Sequence, residues 1–236
     1  MLKILKSIAI ADVITLLNAL IGFLAIMYII DGVIEHAYPL ILFAIILDGI
    51  DGVVARYFKS KHSMGKYLDS IADMVSFCFA PAVLVYAIFY LPDHTSFTHW
   101  QNTLTVLASF FVLGLGILRL GRFAYSGYKQ KDFIGLPTPA MALFIVMLTI
   151  PTFEFEEYPV IVLPLITLTS VLMVSEIKYP KLPNNFRAVF GLPVILVILS
   201  FIIEYPLDWL VQIITFVCII VYILFGPFLG DKIKKS

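Results

Sequence analysis

The sequence predicts an all-α, polytopic integral membrane protein with about eight transmembrane helices. Hydrophobic residues make up 61% of the 236 positions and the mean hydropathy is +1.01, whereas soluble domains are typically about 45–50% apolar. Eight apolar segments approach the roughly 20 residues that a helix needs to cross a bilayer, and the basic residues all fall on one side of the resulting arrangement. The 16 basic and 16 acidic residues cancel, so the chain has no overall basic field of the kind that binds nucleic acid.

Breaks formed by Pro, Gly and charged clusters separate the eight segments. In chain order the segments cover residues 13–30, 37–57, 68–91, 100–121, 139–151, 159–175, 188–203 and 207–228. The fifth is short and the seventh is modest, so a count of six or seven crossings remains open. Residues 1–12 carry Lys3 and Lys6 on a short amphipathic pattern, which predicts a helix lying at the membrane surface. A signal peptide is disfavoured there because no small-residue cleavage site follows.

The distribution of charge predicts the orientation. With eight crossings and a cytoplasmic N-terminus, all 16 lysines and arginines lie on one side, in the terminal regions, in the loops or at the segment ends, as the positive-inside rule requires. The opposite loops carry acidic residues instead, among them Asp31, Glu35, Asp93, Glu154, Glu156, Glu157 and Glu204. Moving one predicted boundary by a whole span would place basic residues on both sides of the membrane. We therefore expect an even number of crossings in a cell membrane, with both termini and the basic loops on the cytoplasmic side.

Four aspartates lie within two of the predicted membrane-spanning segments, where a charged side chain is most unfavourable. Asp48 and Asp51 lie three residues apart in the second segment, and Asp69 and Asp73 lie four apart in the third, so each pair shares one face of its helix. Four unpaired carboxylates at about 2.5–3.5 kcal/mol each would cost on the order of 10–14 kcal/mol, which rivals the stability of a whole domain. Because carboxylate oxygens suit hard divalent cations, these side chains predict a Mg²⁺ or Mn²⁺ site, with two metals if one carboxylate is shared.

Small residues and a cation accompany the aspartates. Gly52, Ala55 and Arg56 continue the face of the first pair, and Gly65 precedes the second pair by one turn. The small side chains leave room for a ligand beside the carboxylates, and Arg56 is placed to meet an anion. A metal site of this kind beside a cation predicts the binding of a diphosphate, and hence a phosphoryl transfer.

The spacing of these eight residues resembles the signature of the CDP-alcohol phosphotransferases, D-x2-D-G-x2-A-R-x8-G-x3-D-x3-D, at every fixed position. The resemblance implies a six-helix membrane core, usually homodimeric, which we place at residues 13–176 of a single membrane domain covering 1–236. Residues 177–236 would then add a two-helix extension. It also implies that the first three aspartates bind metal, that Asp73 acts as general base and partial ligand, and that Gly52, Arg56 and Gly65 contact a CDP-linked donor.

Two further stretches are similar to the phosphatidylserine synthases of that family. These are LDSIADMVSFCFAPA around the second aspartate pair, and GLPTPAMA at residues 135–142. The resemblance implies transfer of the phosphatidyl group of CDP-diacylglycerol, or of a CDP-archaeol-type lipid, to the hydroxyl of L-serine, with release of CMP. Thr15 and Asn18 on the first helix are assigned to the donor, with hydrogen bonding between helices as the alternative.

The serine carboxylate calls for a cation, and Arg119 and Arg122 are the candidates at the end of the fourth segment. Plain positive-inside anchoring is the competing interpretation of these two arginines. Two other hypotheses of function also stay open. The acceptor could be glycerol 3-phosphate or an inositol phosphate, or the four carboxylates could form the ion site of a cation transporter, which would release no CMP. A membrane scaffold would need no metal at all.

Overall fold

The computed structural model describes residues 10–57, 63–92, 100–126, 133–150, 154–179, 184–202 and 208–233. Their helices are α1 (Ile10–Ile30), α2 (Ile34–Tyr57), α3 (Ser63–Asp73), a π-helical segment (Met74–Phe79), α4 (Ala80–Phe89), α5 (Trp100–Ser126), α6 (Thr138–Thr149), α7 (Pro159–Val174), α8 (Asn184–Ile202) and α9 (Asp208–Ile233). A 3₁₀ turn (Phe155–Glu157) precedes α7. Two short strands, β1 (Phe133–Ile134) and β2 (Lys178–Tyr179), form one antiparallel pair.

The prediction of an all-α, polytopic membrane protein is confirmed. Because α3, the π-helical segment and α4 follow one another without a break, the described ranges contain eight helical rods, one for each apolar segment. Five of these are long and apolar enough to cross a membrane, and three are shorter apolar helices. The start of α1 differs from the expectation: Ile10–Asp12, assigned above to a surface helix, already belong to α1, because nothing there breaks a helix. The rest of the surface helix, residues 1–9, lies outside the described residues.

The short helix α6 occupies the centre of the bundle. Its 12 residues span only about 18 Å, and its side chains from Met141 to Thr149 are all buried. It packs against α2, α4, α7 and α9, so a helix that is apolar on every side meets protein rather than lipid. The outer helices instead expose large apolar side chains such as Leu20, Phe110 and Leu168, which suits contact with hydrocarbon.

The π-helical segment begins immediately after Asp73. Pro81, near the start of α4, lacks the N–H that would continue the α-helical ladder into this stretch, which accounts for a local change in winding. Ser76 within the segment is fully buried, and its Oγ donates a hydrogen bond of 2.9 Å to the carbonyl oxygen of Asn18 on α1. The segment is thereby attached to the first helix.

The β1–β2 pair joins the loop after α5 to the end of α7. Phe133 pairs with Tyr179, and the Gly135 N–H donates to the Ile177 carbonyl at 2.8 Å. Gly135 has φ +79°, and a Cβ there would overlap the Met173 carbonyl, so this close approach requires glycine. The pair lies at the end of the bundle where α2, α5 and α7 finish and α1, α3 and α6 begin, which we call the cluster end.

Candidate active site

Three of the four aspartates converge at the cluster end. Asp48 and Asp51 on α2 and Asp69 on α3 each place one carboxylate oxygen within 4.8 Å of the other two. Asp51 is only 5% exposed, and its Oδ2 accepts a hydrogen bond of 2.8 Å from Thr15 Oγ1 on α1. The i,i+3 spacing on α2 and the antiparallel return of α3 bring these carboxylates together, as the sequence indicated.

Asp73 completes the group from one turn further along α3. Its carboxyl group is in hydrogen-bonding contact with that of Asp48, while its Oδ1 is buried with no hydrogen-bond partner among the described residues. Two carboxylates in contact repel each other unless a proton or a cation lies between them. The convergence of carboxylate oxygens therefore fits a divalent cation such as Mg²⁺ or Mn²⁺.

Helix α1 lines the group on another side. Asn18 is 1% exposed, and neither polar atom of its side chain has a hydrogen-bond partner among the described residues. Asp12, which the sequence analysis did not assign to the site, is also buried, and a Cβ added to Gly65 would lie 2.8 Å from Asp12 Oδ1. The sequence feature that could have identified Asp12 is its position three residues before Thr15, on the helix that reaches the aspartates.

Gly52 borders open space. A Cβ added there meets no atom within 4 Å in the described part of the chain, and the residue is exposed. Arg56 lies in the last turn of α2, and its side chain, like that of Ala55, lies outside the described set. An open surface thus adjoins the carboxylates on α2, where a donor could approach.

The two arginines of α5 have different surroundings. Arg119 is 6% exposed and interacts electrostatically with Asp48 and Asp73. Its Nη1 donates to Thr138 Oγ1 at 3.2 Å, and its Nε is buried without a partner among the described residues. Arg122 instead donates to the carbonyl oxygens of Ile134 at 2.6 Å and Val174 at 3.1 Å. Arg122 therefore holds the loops together, while Arg119 faces the carboxylates.

Thr138 is the first residue of α6, so Arg119 meets a helix N-terminus. The cap is Pro137, which has no N–H, and no side chain caps the helix within the described structure. The N–H groups of Thr138 and Ala140 have no acceptor within α6, and the helix dipole places partial positive charge here. A buried guanidinium beside such a terminus provides positive charge and N–H donors suited to a carboxylate or phosphate.

Comparison with known proteins gives a consistent result. The family model for CDP-alcohol phosphatidyltransferase matches residues 8–177. A CDP-diacylglycerol–serine O-phosphatidyltransferase of Methanocaldococcus jannaschii is 36% identical over 201 residues, covering 85% of this chain and 88% of that protein. An archaetidylserine synthase of Methanothermobacter thermautotrophicus is 35% identical over 181 residues, covering 76% and 72%. A CDP-diacylglycerol–serine O-phosphatidyltransferase of Bacillus subtilis is 33% identical over 174 residues, covering 73% and 90%.

Proposed function

Because the chain belongs to the CDP-alcohol phosphatidyltransferase family, we propose that it transfers the lipid phosphate of CDP-diacylglycerol, or of a CDP-archaeol-type lipid, to the hydroxyl of L-serine. The products are a serine phospholipid and CMP. The observation that carries the proposal is the convergence of four aspartates at one end of the bundle, facing the buried guanidinium of Arg119. The relatives named for serine transfer support the choice of acceptor.

Asp48, Asp51 and Asp69, with Asp73 as a further ligand, would hold two Mg²⁺ or Mn²⁺ ions. Bound ions supply positive charge that offsets the charge of the donor's diphosphate in the transition state. The protein's contribution is to hold four carboxylates in one orientation. Thr15 does this for Asp51 through its hydrogen bond to Oδ2.

Asp73 is the proposed general base. Its buried Oδ1 has no hydrogen-bond partner among the described residues and can accept the proton of the serine hydroxyl. As that proton leaves, the serine oxygen forms a bond to the lipid-side phosphorus and the bond from this phosphorus to the CMP oxygen breaks. A positioned base typically contributes about 10²–10⁴-fold to such a step.

The donor is proposed to lie along α1 and α2. Arg56 would meet the diphosphate, and Gly52 leaves space beside the carboxylates. Gly65 instead lets α3 approach Asp12 of α1 closely on the donor side. Thr15 and the unsatisfied amide of Asn18 offer polar contacts from α1. The lipid chains can then stay in the bilayer while CMP leaves toward water.

Enlarging Gly52 to leucine should block the donor and leave the fold intact. A Cβ at this position meets no described atom within 4 Å, so the side chain fills the open space instead of displacing protein. We expect at least a tenfold loss of CDP-lipid affinity, about 1.4 kcal/mol, measured by calorimetry. Gly114→Leu on α5 is the matched control, because a Cβ on Gly114 is equally uncrowded. Unchanged donor affinity in Gly52→Leu would remove this face from the donor site.

The acceptor is proposed to bind between Arg119 and the N-terminus of α6, with its carboxylate on the guanidinium. Arg122, also a candidate from the sequence, would act indirectly by holding Ile134 and Val174.

Arg119→Gln should weaken serine far more than an acceptor without a carboxylate. A hydrogen bond to a charged group contributes about 1.5–3 kcal/mol, so we expect KM for serine to rise about tenfold or more. Ethanolamine is serine without the carboxylate, and its use as acceptor should change little. The ratio of kcat/KM for the two alcohols, measured as CMP release, gives the comparison. An equal loss for both alcohols would contradict the assignment.

We place the site at the cytoplasmic leaflet. The proposal is supported by the basic residues, which the alternating spans bring to the cluster end, including Arg119, Arg122 and Lys178. The termini would lie on the same side. The homodimer implied by the family resemblance stays a prediction.

Release of CMP tests the reaction class. Purified protein is incubated with CDP-diacylglycerol, Mg²⁺ and, in turn, serine, glycerol 3-phosphate and an inositol phosphate. The proposal expects CMP with serine. Release with another alcohol alone would reassign the acceptor, and metal uptake by proteoliposomes without any CMP would favour the transporter hypothesis.

A further inference from the structure

We propose that Gly22 on α1 and Gly116 on α5 are positioning residues: together they clamp the π-helical segment from two sides, and so fix Asp73 relative to Arg119. The inference rests on the proposed function for the roles of Asp73 and Arg119. The packing contacts themselves do not depend on that function, because the glycines contact Ser76 and Cys78 and not the four aspartates.

The first contact joins Gly22 to Ser76. A Cβ built on Gly22 would lie 2.7 Å from Ser76 Cα and 2.8 Å from Ser76 Cβ, and closer still to Oγ. A change of side-chain rotamer cannot relieve an overlap with the backbone. The Ser76 hydroxyl also bonds the Asn18 carbonyl one turn earlier on α1. Helix α1 and the π-helical segment therefore touch at a point where only glycine fits.

The second contact joins Gly116 to Cys78. A Cβ on Gly116 would lie 2.5 Å from Cys78 Sγ and 3.1 Å from Cys78 Cβ. The Cys78 side chain is fully buried and lies near both Asp73 and Arg119. A Cβ added to Gly114, two residues earlier on α5, would meet no described atom within 4 Å. The close approach is therefore specific to Gly116.

These contacts bear directly on the two functional side chains. Asp73 is the last residue before the π-helical segment, and Ser76 and Cys78 follow it by three and five residues. Arg119 follows Gly116 by three residues on α5, a rise of about 4.5 Å. A shift of the segment away from either glycine therefore moves Asp73 relative to Arg119. A displacement of about 1 Å at a reacting group can cost about 10²-fold in rate.

The test compares alanine at the clamp with alanine outside it. We expect Gly22→Ala and Gly116→Ala each to lower kcat for serine by about tenfold to a hundredfold, with CDP-lipid affinity from calorimetry within about twofold of wild type. Gly114→Ala should keep the wild-type kcat. Alanine is a better helix former than glycine, so a loss of helix propensity cannot explain a lower rate.

Shortening the Cys78 side chain should restore the rate that is lost in Gly116→Ala. Cys78→Ala takes away Sγ, the nearest atom to the added methyl group. Gly116→Ala/Cys78→Ala should therefore regain most of the rate that Gly116→Ala loses, which a double-mutant cycle with Cys78→Ala alone measures. If Gly22→Ala yields no folded protein, this cycle decides the question by itself.

Three outcomes would overturn the inference. They are wild-type kcat in both glycine variants, no rescue by Cys78→Ala, and a loss of kcat that merely tracks a lower unfolding temperature together with lost donor affinity. Failure of the proposed function is a separate result, because wild-type protein would then release no CMP from CDP-lipid and serine.

Discussion

Replacing Asp73 by asparagine should lower the rate of CMP release by at least about a hundredfold, within the 10²–10⁴-fold that a general base contributes. Asparagine is nearly isosteric and keeps one oxygen that can contact a metal, but it cannot accept the proton of serine at neutral pH. CDP-lipid affinity in the presence of Mg²⁺ should therefore stay close to that of wild type. Calorimetric titration of the donor beside a CMP-release assay measures both quantities.

Asp69→Asn is the matched control for Asp73→Asn. Asp69 lies one turn earlier on the same helix and belongs to the group of three converging carboxylates. Its replacement should reduce metal and donor binding together, so that kcat and affinity fall in parallel. Near wild-type turnover in Asp73→Asn would exclude Asp73 as the base. Equal losses of affinity in the two variants would make both residues simple ligands.

Chelation of divalent cations should abolish the activity. The carboxylates of Asp48, Asp51 and Asp69 converge within 4.8 Å. The donor proposed to bind beside them is negatively charged, so repulsion opposes binding unless cations intervene. EDTA should remove CMP release to background, and excess Mg²⁺ or Mn²⁺ should restore it. Full activity in chelator would contradict the metal site.

Variants of α2 extend the chelation experiment. Asp48→Asn and Asp51→Asn should each raise the Mg²⁺ concentration needed for half-maximal activity, because each removes a charged ligand from the group. Calorimetry with Mg²⁺ alone supplies a readout that needs no turnover. Metal binding that stays unchanged in both variants would place the ions elsewhere.

Most helix boundaries could be predicted because Pro, Gly and charged clusters mark the ends of each apolar segment. The predicted segment 159–175 matches α7 (Pro159–Val174) almost to the residue, and 139–151 matches α6 (Thr138–Thr149). The central place of α6 could not be predicted, because its length and composition do not say which helices surround it. The π-helical segment was also missed. Its one local signal is Pro81, which breaks the ladder without specifying the alternative.

The sequence predicts those features of the candidate site that depend on spacing within one helix. It does not predict those that depend on contacts between residues far apart in the chain. The spacing of Asp48 and Asp51 fixes a shared face, but the partners of Arg122 lie 12 and 52 residues away in the chain. Charge placement alone could not distinguish Arg119, which faces the carboxylates, from Arg122, which bonds to carbonyl oxygens. Asp12 and Gly22 were missed because only their contacts with α3 and the π-helical segment distinguish them from other residues of α1.

Identification of the phospholipid product tests whether the protein transfers the lipid phosphate to serine. Purified protein in lipid nanodiscs is supplied with CDP-diacylglycerol, Mg²⁺, isotopically labelled L-serine and unlabelled glycerol 3-phosphate together, and the lipids are analysed by mass spectrometry. Transfer to serine predicts that the label enters a serine phospholipid in an amount equal to the CMP released. CMP release accompanied by a glycerol phosphate lipid, with no label in any phospholipid, would contradict it.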